Sequence, residues 1–104
     1  MYQNVDPAGL KAMLEQEAPP LLIDVRSAAE VARGVIAGAR HIELTTLPAR
    51  AAELDPESAL ALYCLSGARS SQACMYLEQR GFRRLYHLDG GIAAWIRAGL
   101  PLAG

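Results

Sequence analysis

Two short runs of nearly unbroken apolar residues restrict the fold of this chain more than any other feature. They are LLIDV at positions 21–25 and ALALYC at positions 59–64. A strand with one face in water alternates apolar and polar residues, whereas a continuous apolar run between turn residues is typical of a strand covered on both faces. RLYHL at 84–88 is predicted as another strand, and RHIEL at 40–44 can supply a short one. The sequence therefore predicts a sheet buried between two layers.

Helical signals alternate with these strands. The predicted helices begin at Asp6-Pro7, at a capping box over 27–30, at Pro48, at Ser70 and after the Gly90-Gly91 turn. Glycines at positions 34, 81 and 99 are predicted to end three of them. Strands alternating with helices indicate an α/β fold with a central parallel sheet and helices on both faces. At 104 residues we expect one domain, over 1–104.

Charge and composition exclude several classes of function. Ten basic and eleven acidic residues are mixed along the chain, so no basic surface indicates a nucleic-acid partner. No signal peptide and no apolar run of membrane-spanning length is visible, so we expect a cytoplasmic protein without a membrane partner. Cys64 and Cys74 form no C-x-x-C pair, and with two histidines the chain lacks the ligand spacing of a metal site.

The segment YCLSGARSS, residues 63–71, is the strongest candidate for chemistry. Cys64 ends a predicted buried strand, and a helix begins a few residues later. Free backbone N–H groups and the helix dipole at such a junction stabilise a thiolate and lower the pKa of the cysteine. Gly67 permits the curvature that turns amides inward, Arg69 adds a cation, and Ser70-Ser71 offers candidate N-caps. The pattern favours an activated nucleophile over an inert core cysteine.

The spacing within this loop bears on the electrophile. Four residues separate Cys64 from Arg69, whereas the phosphate-binding loop of tyrosine phosphatases reads Cys-x5-Arg. The shorter loop makes a smaller cradle, better matched to one additional sulfur atom than to a phosphoryl group. A thiolate leaving group also needs little protonation. The loop therefore favours sulfur transfer, with a phosphatase or arsenate reductase of the same fold as a weaker alternative.

Three segments together resemble the rhodanese family of sulfurtransferases. LIDVRSAAEVARGVIAGARHIEL is similar to the family's signature DVR…E…GHIPGA…NIP, CLSGARS to its active loop CxxGxRS, and LDGGIAAWIRAGLPL to its closing GGxxxWxxxGxP. The likeness runs nearly from end to end and implies a single-domain rhodanese with three layers. Val35 and Ala37 depart from it, because the family often has His and Pro there.

The resemblance implies a role for each residue of the loop. Cys64 matches the cysteine that accepts a sulfane sulfur as a persulfide, and no cofactor is needed. The amides that would surround the outer sulfur belong to Leu65, Ser66, Gly67, Ala68, Arg69 and Ser70. The implied sulfur donor is thiosulfate or a low-molecular-weight persulfide. The acceptor is cyanide in an assay and a thiol or sulfur-carrier protein in cells. A sulfur-relay or sensing module with little turnover of free donors is the alternative.

The charge of the loop bears on the sulfur donor. Arg69 is its only cation, whereas many relatives that use thiosulfate carry further polar or charged loop residues. Attraction for a dianion should therefore be modest. We expect thiosulfate to be a poorer sulfur donor than a persulfide.

Other candidate residues have more ordinary explanations. Asp24 and Arg26 follow the first buried strand, and we expect an ion pair that fixes the next loop, with Glu30 as a further partner. Because Asp24 and Cys64 both end parallel strands, they should meet at one edge of the sheet. Histidines 41 and 87, Trp95 and Cys74 are each predicted to be structural rather than catalytic.

Overall fold

The computed structural model describes all 104 residues and contains one five-stranded sheet. The strands are β1 (Gln3–Val5), β2 (Leu21–Asp24), β3 (Arg40–His41), β4 (Leu60–Tyr63) and β5 (Leu85–Leu88). The helices are α1 (Pro7–Leu14), α2 (Ala28–Val31), α3 (Leu47–Arg50), α4 (Ala68–Gln79) and α5 (Gly91–Arg97), with 3₁₀ turns at Leu44–Thr46 and Ala51–Glu53. The strand order is β1-β5-β4-β2-β3, and every pair is parallel. The α/β fold predicted from the sequence is confirmed.

The buried residues form two apolar clusters, one on each face of the sheet. On one face, α3 and α4 cover the alternate strand residues Ile23, Leu60 and Leu62. On the other, α1 and α5 cover Leu22 and Ala61, the neighbours of those residues along the same strands. Alternate residues of β2 and β4 therefore enter different clusters, which explains why both strands read as continuous apolar runs. Trp95 packs in the second cluster, as expected.

Local signals placed most helix ends correctly. The Asp6 carboxylate accepts a hydrogen bond from the Gly9 amide at 2.7 Å and caps α1. Ser27 and Glu30 form the complete capping box of α2. At the end of α4, Gly81 has φ +91° and lies at the C′ position, where a left-handed conformation favours glycine.

Three elements differ from the sequence-based expectation. β1 is not signalled by the sequence because it is only three residues long and two of them, Gln3 and Asn4, are polar; it pairs with β5 alone and is an edge strand. The RHIEL segment contributes only Arg40–His41 to the sheet. The segment beginning at Pro48 divides between the short α3 and the 3₁₀ turn Ala51–Glu53.

The register of the central strands determines which residues meet at the carboxyl edge. Asp24 on β2 pairs with Tyr63 on β4, so Cys64 follows directly at that edge. His87 on β5 pairs with Leu62 on one side and with Asn4 on the other. Four strands of the sheet therefore converge near Cys64. No helix has the length and apolar character needed to cross a membrane.

Candidate active site

Cys64 lies where β4 ends, and a three-residue loop connects it to α4. The helix begins at Ala68, two residues earlier than predicted, and Gly67 occupies the N-cap position with φ +121°. Ser70 and Ser71 therefore lie within the first turn, and the prediction that they cap the helix is wrong. The Ser70 hydroxyl lies 3.3 Å from the Cys64 sulfur, and the Ser71 hydroxyl lies 2.8 Å from the Tyr2 hydroxyl.

The sulfur of Cys64 lies among hydrogen-bond donors in a buried position. The residue is 1% exposed, and its Sγ accepts a hydrogen bond from the Gly67 amide at 3.1 Å and from the Ser70 hydroxyl at 3.3 Å. Burial alone would raise the pKa of this thiol. Hydrogen bonds from the Ser70 hydroxyl and from loop amides outweigh burial and lower the pKa below its ordinary value. The site therefore favours the thiolate, the nucleophilic form of cysteine.

The first turn of α5 holds the carbonyl side of this loop. The Ile92 amide donates to the Cys64 carbonyl at 2.9 Å, and the Ala93 amide donates to the Leu65 carbonyl at 3.1 Å. A Cβ atom at Gly91 would lie 2.4 Å from the Leu65 carbonyl oxygen, so only glycine permits this approach. The sequence indicated a turn at Gly90-Gly91 but not that this turn supports the cysteine loop.

Arg69 does not direct its guanidinium at the sulfur. It forms two hydrogen bonds with the Glu30 carboxylate on α2, at 2.6 and 2.8 Å. These bonds lower the pKa of Glu30 to about 2, although partial burial opposes them. The expectation that Glu30 joins Asp24 and Arg26 is therefore corrected. The charge of Arg69, the only cation of the loop, is therefore largely neutralised.

Asp24 and Arg26 form the ion pair that the sequence indicated. Both are almost fully buried, and the Asp24 carboxylate accepts hydrogen bonds from the backbone and the guanidinium of Arg26 at 2.7–3.1 Å. Arg26 also donates to the Gly34 carbonyl at 2.8 Å and lies over the Tyr63 ring. The pair fixes the segment between β2 and the end of α2, which places Glu30 opposite Arg69.

The two histidines both make structural hydrogen bonds. His41 Nε2 lies 2.6 Å from the Arg26 carbonyl oxygen. His87 lies 6% exposed on β5, with Nε2 3.0 Å from the Gly67 carbonyl oxygen and Nδ1 2.8 Å from the Asn4 amide oxygen. His87 thus contacts the cysteine loop, and the sequence does not indicate this contact because Gly67 lies twenty residues away along the chain.

Cys74 lies on α4 in the apolar cluster that also contains Cys64. It is fully buried, and burial raises the pKa of its thiol to about 12. These observations agree with the predicted packing role. No group of three or more His, Cys, Asp and Glu side chains is arranged to hold a metal ion.

A small cleft of about 220 Å³ adjoins the loop. Three exposed apolar side chains line it: Leu65, Ile96 and Leu102. Leu102 is held there because the chain near its carboxyl end pairs with Val35 through two backbone hydrogen bonds of 2.7 and 2.9 Å. Arg33, an exposed residue on the loop after α2, also lines the cleft. Arg26 and Glu30 line it as well. The surface beside Leu65 is therefore largely apolar, with charged side chains of both signs at its margin.

Comparison with known proteins agrees with this architecture. The family model described as rhodanese-like domain matches residues 6–98. The chain is 41% identical over 102 residues to a protein from Allochromatium vinosum named sulfurtransferase, covering 98% of this chain and 95% of that protein. It is 33% identical to the thiosulfate sulfurtransferase GlpE of Stutzerimonas stutzeri, covering 90% and 84%. A crystal structure of a rhodanese-related protein from Thermoplasma volcanium is similar with a TM-score of 0.89, 29% identity and 98% coverage of each chain.

Proposed function

The chain belongs to the rhodanese-like domain family, and on that premise we propose that it is a sulfurtransferase that carries sulfane sulfur as a Cys64 persulfide. The observation that supports this most is the position of Cys64 Sγ, buried and facing the Gly67 amide and the Ser70 hydroxyl. These donors stabilise the attacking thiolate and can equally stabilise a negatively charged outer sulfur. We place this activity in the cytoplasm, where thiols remain reduced.

The reaction divides into two displacements at sulfur. The Cys64 thiolate attacks the outer sulfur of the sulfur donor, the Cys64 Sγ–S bond forms, and the S–S bond of the sulfur donor breaks. The leaving group is sulfite from thiosulfate, or a thiolate from an organic persulfide. A nucleophilic acceptor then attacks the outer sulfur and releases the Cys64 thiolate. With cyanide as acceptor the product is thiocyanate, and with a thiol it is a new persulfide.

Two features of the site support an organic persulfide over thiosulfate as the better sulfur donor. Glu30 neutralises Arg69, so the loop has little net positive charge to attract a dianion. The cleft beside Leu65 offers apolar contact to the carbon atoms of a persulfide, which thiosulfate lacks. We expect kcat/KM for glutathione persulfide to exceed that for thiosulfate. Comparable values would contradict this proposal.

A sulfur-relay module is the second candidate, because the neutralised Arg69 would also suit a protein that receives sulfur from a partner protein. In that case Cys64 forms the persulfide but turns over slowly with every free sulfur donor. A phosphatase or arsenate reductase is disfavoured for two reasons. Arg69 binds Glu30 instead of facing the loop, and only four residues lie between Cys64 and Arg69, one fewer than in the Cys-x5-Arg loop of tyrosine phosphatases.

Intact-mass spectrometry tests the central chemistry. After incubation with thiosulfate or a persulfide, the protein should gain one sulfur atom, about 32 Da, and Cys64→Ser should not. Cyanide or a thiol should remove the added mass. Cys74→Ser is the matched control and should gain the sulfur as the wild type does. Absence of the gain with every sulfur donor would overturn the proposal.

A further inference from the structure

The Ser70 hydroxyl has two possible acceptors and one proton. Its oxygen lies 3.3 Å from Cys64 Sγ and also 3.3 Å from the Gly67 carbonyl oxygen. A hydroxyl donates one hydrogen bond at a time, so a hydrogen bond donated to the Gly67 carbonyl is not available to the Cys64 sulfur. The Ser70 hydroxyl therefore stabilises the Cys64 thiolate only when the Gly67 carbonyl does not accept its hydrogen bond instead.

Two other donors occupy that carbonyl. The Ser71 amide donates to the Gly67 oxygen at 3.0 Å as part of α4, and His87 Nε2 lies 3.0 Å from the same oxygen. A carbonyl oxygen has two lone pairs, and these two contacts use both. Both are shorter than the contact from Ser70. We propose that His87 is a positioning residue that occupies the Gly67 carbonyl and so directs the Ser70 hydroxyl onto the Cys64 sulfur.

The surroundings of His87 keep its donor in place. A carbonyl oxygen only accepts hydrogen bonds, so Nε2 must carry the proton. Nδ1 faces the side-chain amide of Asn4, which can accept from a charged ring through its oxygen or donate to a neutral ring through its nitrogen. The bond to Gly67 therefore survives in both protonation states of His87. The Tyr2 ring packs edge-on against the imidazole with centroids 5.6 Å apart and restricts its rotation.

This role rests on Cys64 being the nucleophile of the proposed function, but its test needs no sulfur donor. Two substitutions distinguish the hydrogen bond made by Nε2 of His87 from the one made by Nδ1. His87→Asn keeps a polar group near Asn4 and removes the donor to Gly67. His87→Gln places an amide N–H close to the position of Nε2 and should restore that donor.

The readout is the rate of alkylation of Cys64 by iodoacetamide as a function of pH, with mass spectrometry assigning the modified cysteine. For His87→Asn we expect the pKa of Cys64 to rise by about one unit, the effect of losing one hydrogen bond to a charged group. At a pH below the pKa of Cys64, the variant then has about one tenth of the thiolate of the wild type. A more basic thiolate is a better nucleophile, so each thiolate reacts about three times faster. Alkylation should therefore slow about threefold. His87→Gln should behave nearly as the wild type does.

A double-mutant cycle distinguishes this route from a general loosening of the loop. Ser70→Ala should raise the pKa of Cys64, and adding His87→Asn should change it no further. Apart from His87 itself, the ionisable groups that bear on this network, namely Tyr2, Arg69 and Cys74, are unchanged in all variants. An unchanged alkylation profile in His87→Asn would overturn the proposal. Full additivity of the two substitutions would also overturn it.

A measurement on the wild type covers the case in which His87→Asn fails to fold. Long-range ¹H–¹⁵N NMR reports which imidazole nitrogen carries the proton. His87 should show a protonated Nε2 across the pH range in which Cys64 titrates. A neutral ring protonated only at Nδ1 would contradict the proposal whatever the variants do. If the wild type fails to load sulfur while His87→Asn still shifts the alkylation profile of Cys64, the result counts against the proposed function and not against this role of His87.

Discussion

Glu30→Gln should improve the use of thiosulfate, although it removes an ion pair from the candidate site. The Glu30 carboxylate binds the guanidinium of Arg69 and cancels most of its charge. Glutamine keeps a side-chain oxygen that can accept from Ser27, and Gln is an accepted residue at this position of a capping box. The substitution therefore releases a cation beside Cys64 while the start of α2 is preserved.

Coulomb's law gives the size of the expected change. The Glu30 carboxylate lies on the far side of the Arg69 guanidinium from the loop. We take its distance from a sulfur donor bound at the loop as on the order of 8 Å, at which a unit negative charge and a dianion in water repel by about 1 kcal/mol. Removing this repulsion should raise kcat/KM for thiosulfate about fivefold at low ionic strength. At physiological salt the Debye length is about 8 Å, which reduces the gain to about twofold.

The assay is thiosulfate:cyanide sulfur transfer at several salt concentrations. Glu15→Gln is the matched control, because it makes the same charge change at an exposed carboxylate that pairs with Lys11 at the end of α1. That control should leave kcat/KM unchanged. The persulfide of 2-mercaptoethanol, which carries less charge, should gain less than thiosulfate from Glu30→Gln. An unchanged or lower kcat/KM for thiosulfate at low salt, with the fold intact, would refute the electrostatic reasoning.

Further predictions concern stability and the cleft. Asp24→Asn leaves the buried Arg26 guanidinium without its counter-ion and should lower the free energy of unfolding by about 3 kcal/mol in urea titrations. Cys74→Ser buries a hydroxyl in an apolar cluster and should cost about 1–3 kcal/mol without changing sulfur loading. The pKa of Glu30 is about 2 in the folded protein and 4.5 ordinarily, so its ion pair contributes stability above pH 4.5 that is lost as the pH falls towards 2. That loss should be about 1 kcal/mol once solvent screening is included, and it should be absent in acid titrations of Glu30→Gln. Leu102→Ser removes an apolar wall of the cleft and should raise KM several-fold for an alkyl persulfide but not for thiosulfate, as steady-state kinetics can show.

The parts of this structure that follow from the sequence are those governed by neighbouring residues. The covered strands at β2 and β4 show in their apolar runs, and the capping box and Gly81 show helix ends through local hydrogen bonds. The meeting of Asp24 with the end of β4 follows from one rule, that carboxyl ends of parallel strands share an edge. Cys64 could be proposed as the nucleophile because a strand end, a glycine and a helix start stand together in a few residues.

The contacts around the Cys64 loop join residues far apart in sequence, and no local pattern encodes them. Arg69 was expected to present its charge to the sulfur, but its partner Glu30 lies thirty-nine residues away on a helix positioned by a buried ion pair. Gly91 reads as a turn residue until α5 is seen against the loop, where a Cβ atom would collide with the Leu65 carbonyl. His87 looked like an ordinary strand residue because only the register of β5 beside β4 brings it level with the loop. Each of these residues reaches the Cys64 loop through a contact that the sequence does not signal, so the candidate nucleophile shows in the sequence, whereas the groups around its loop emerge only with the packed sheet.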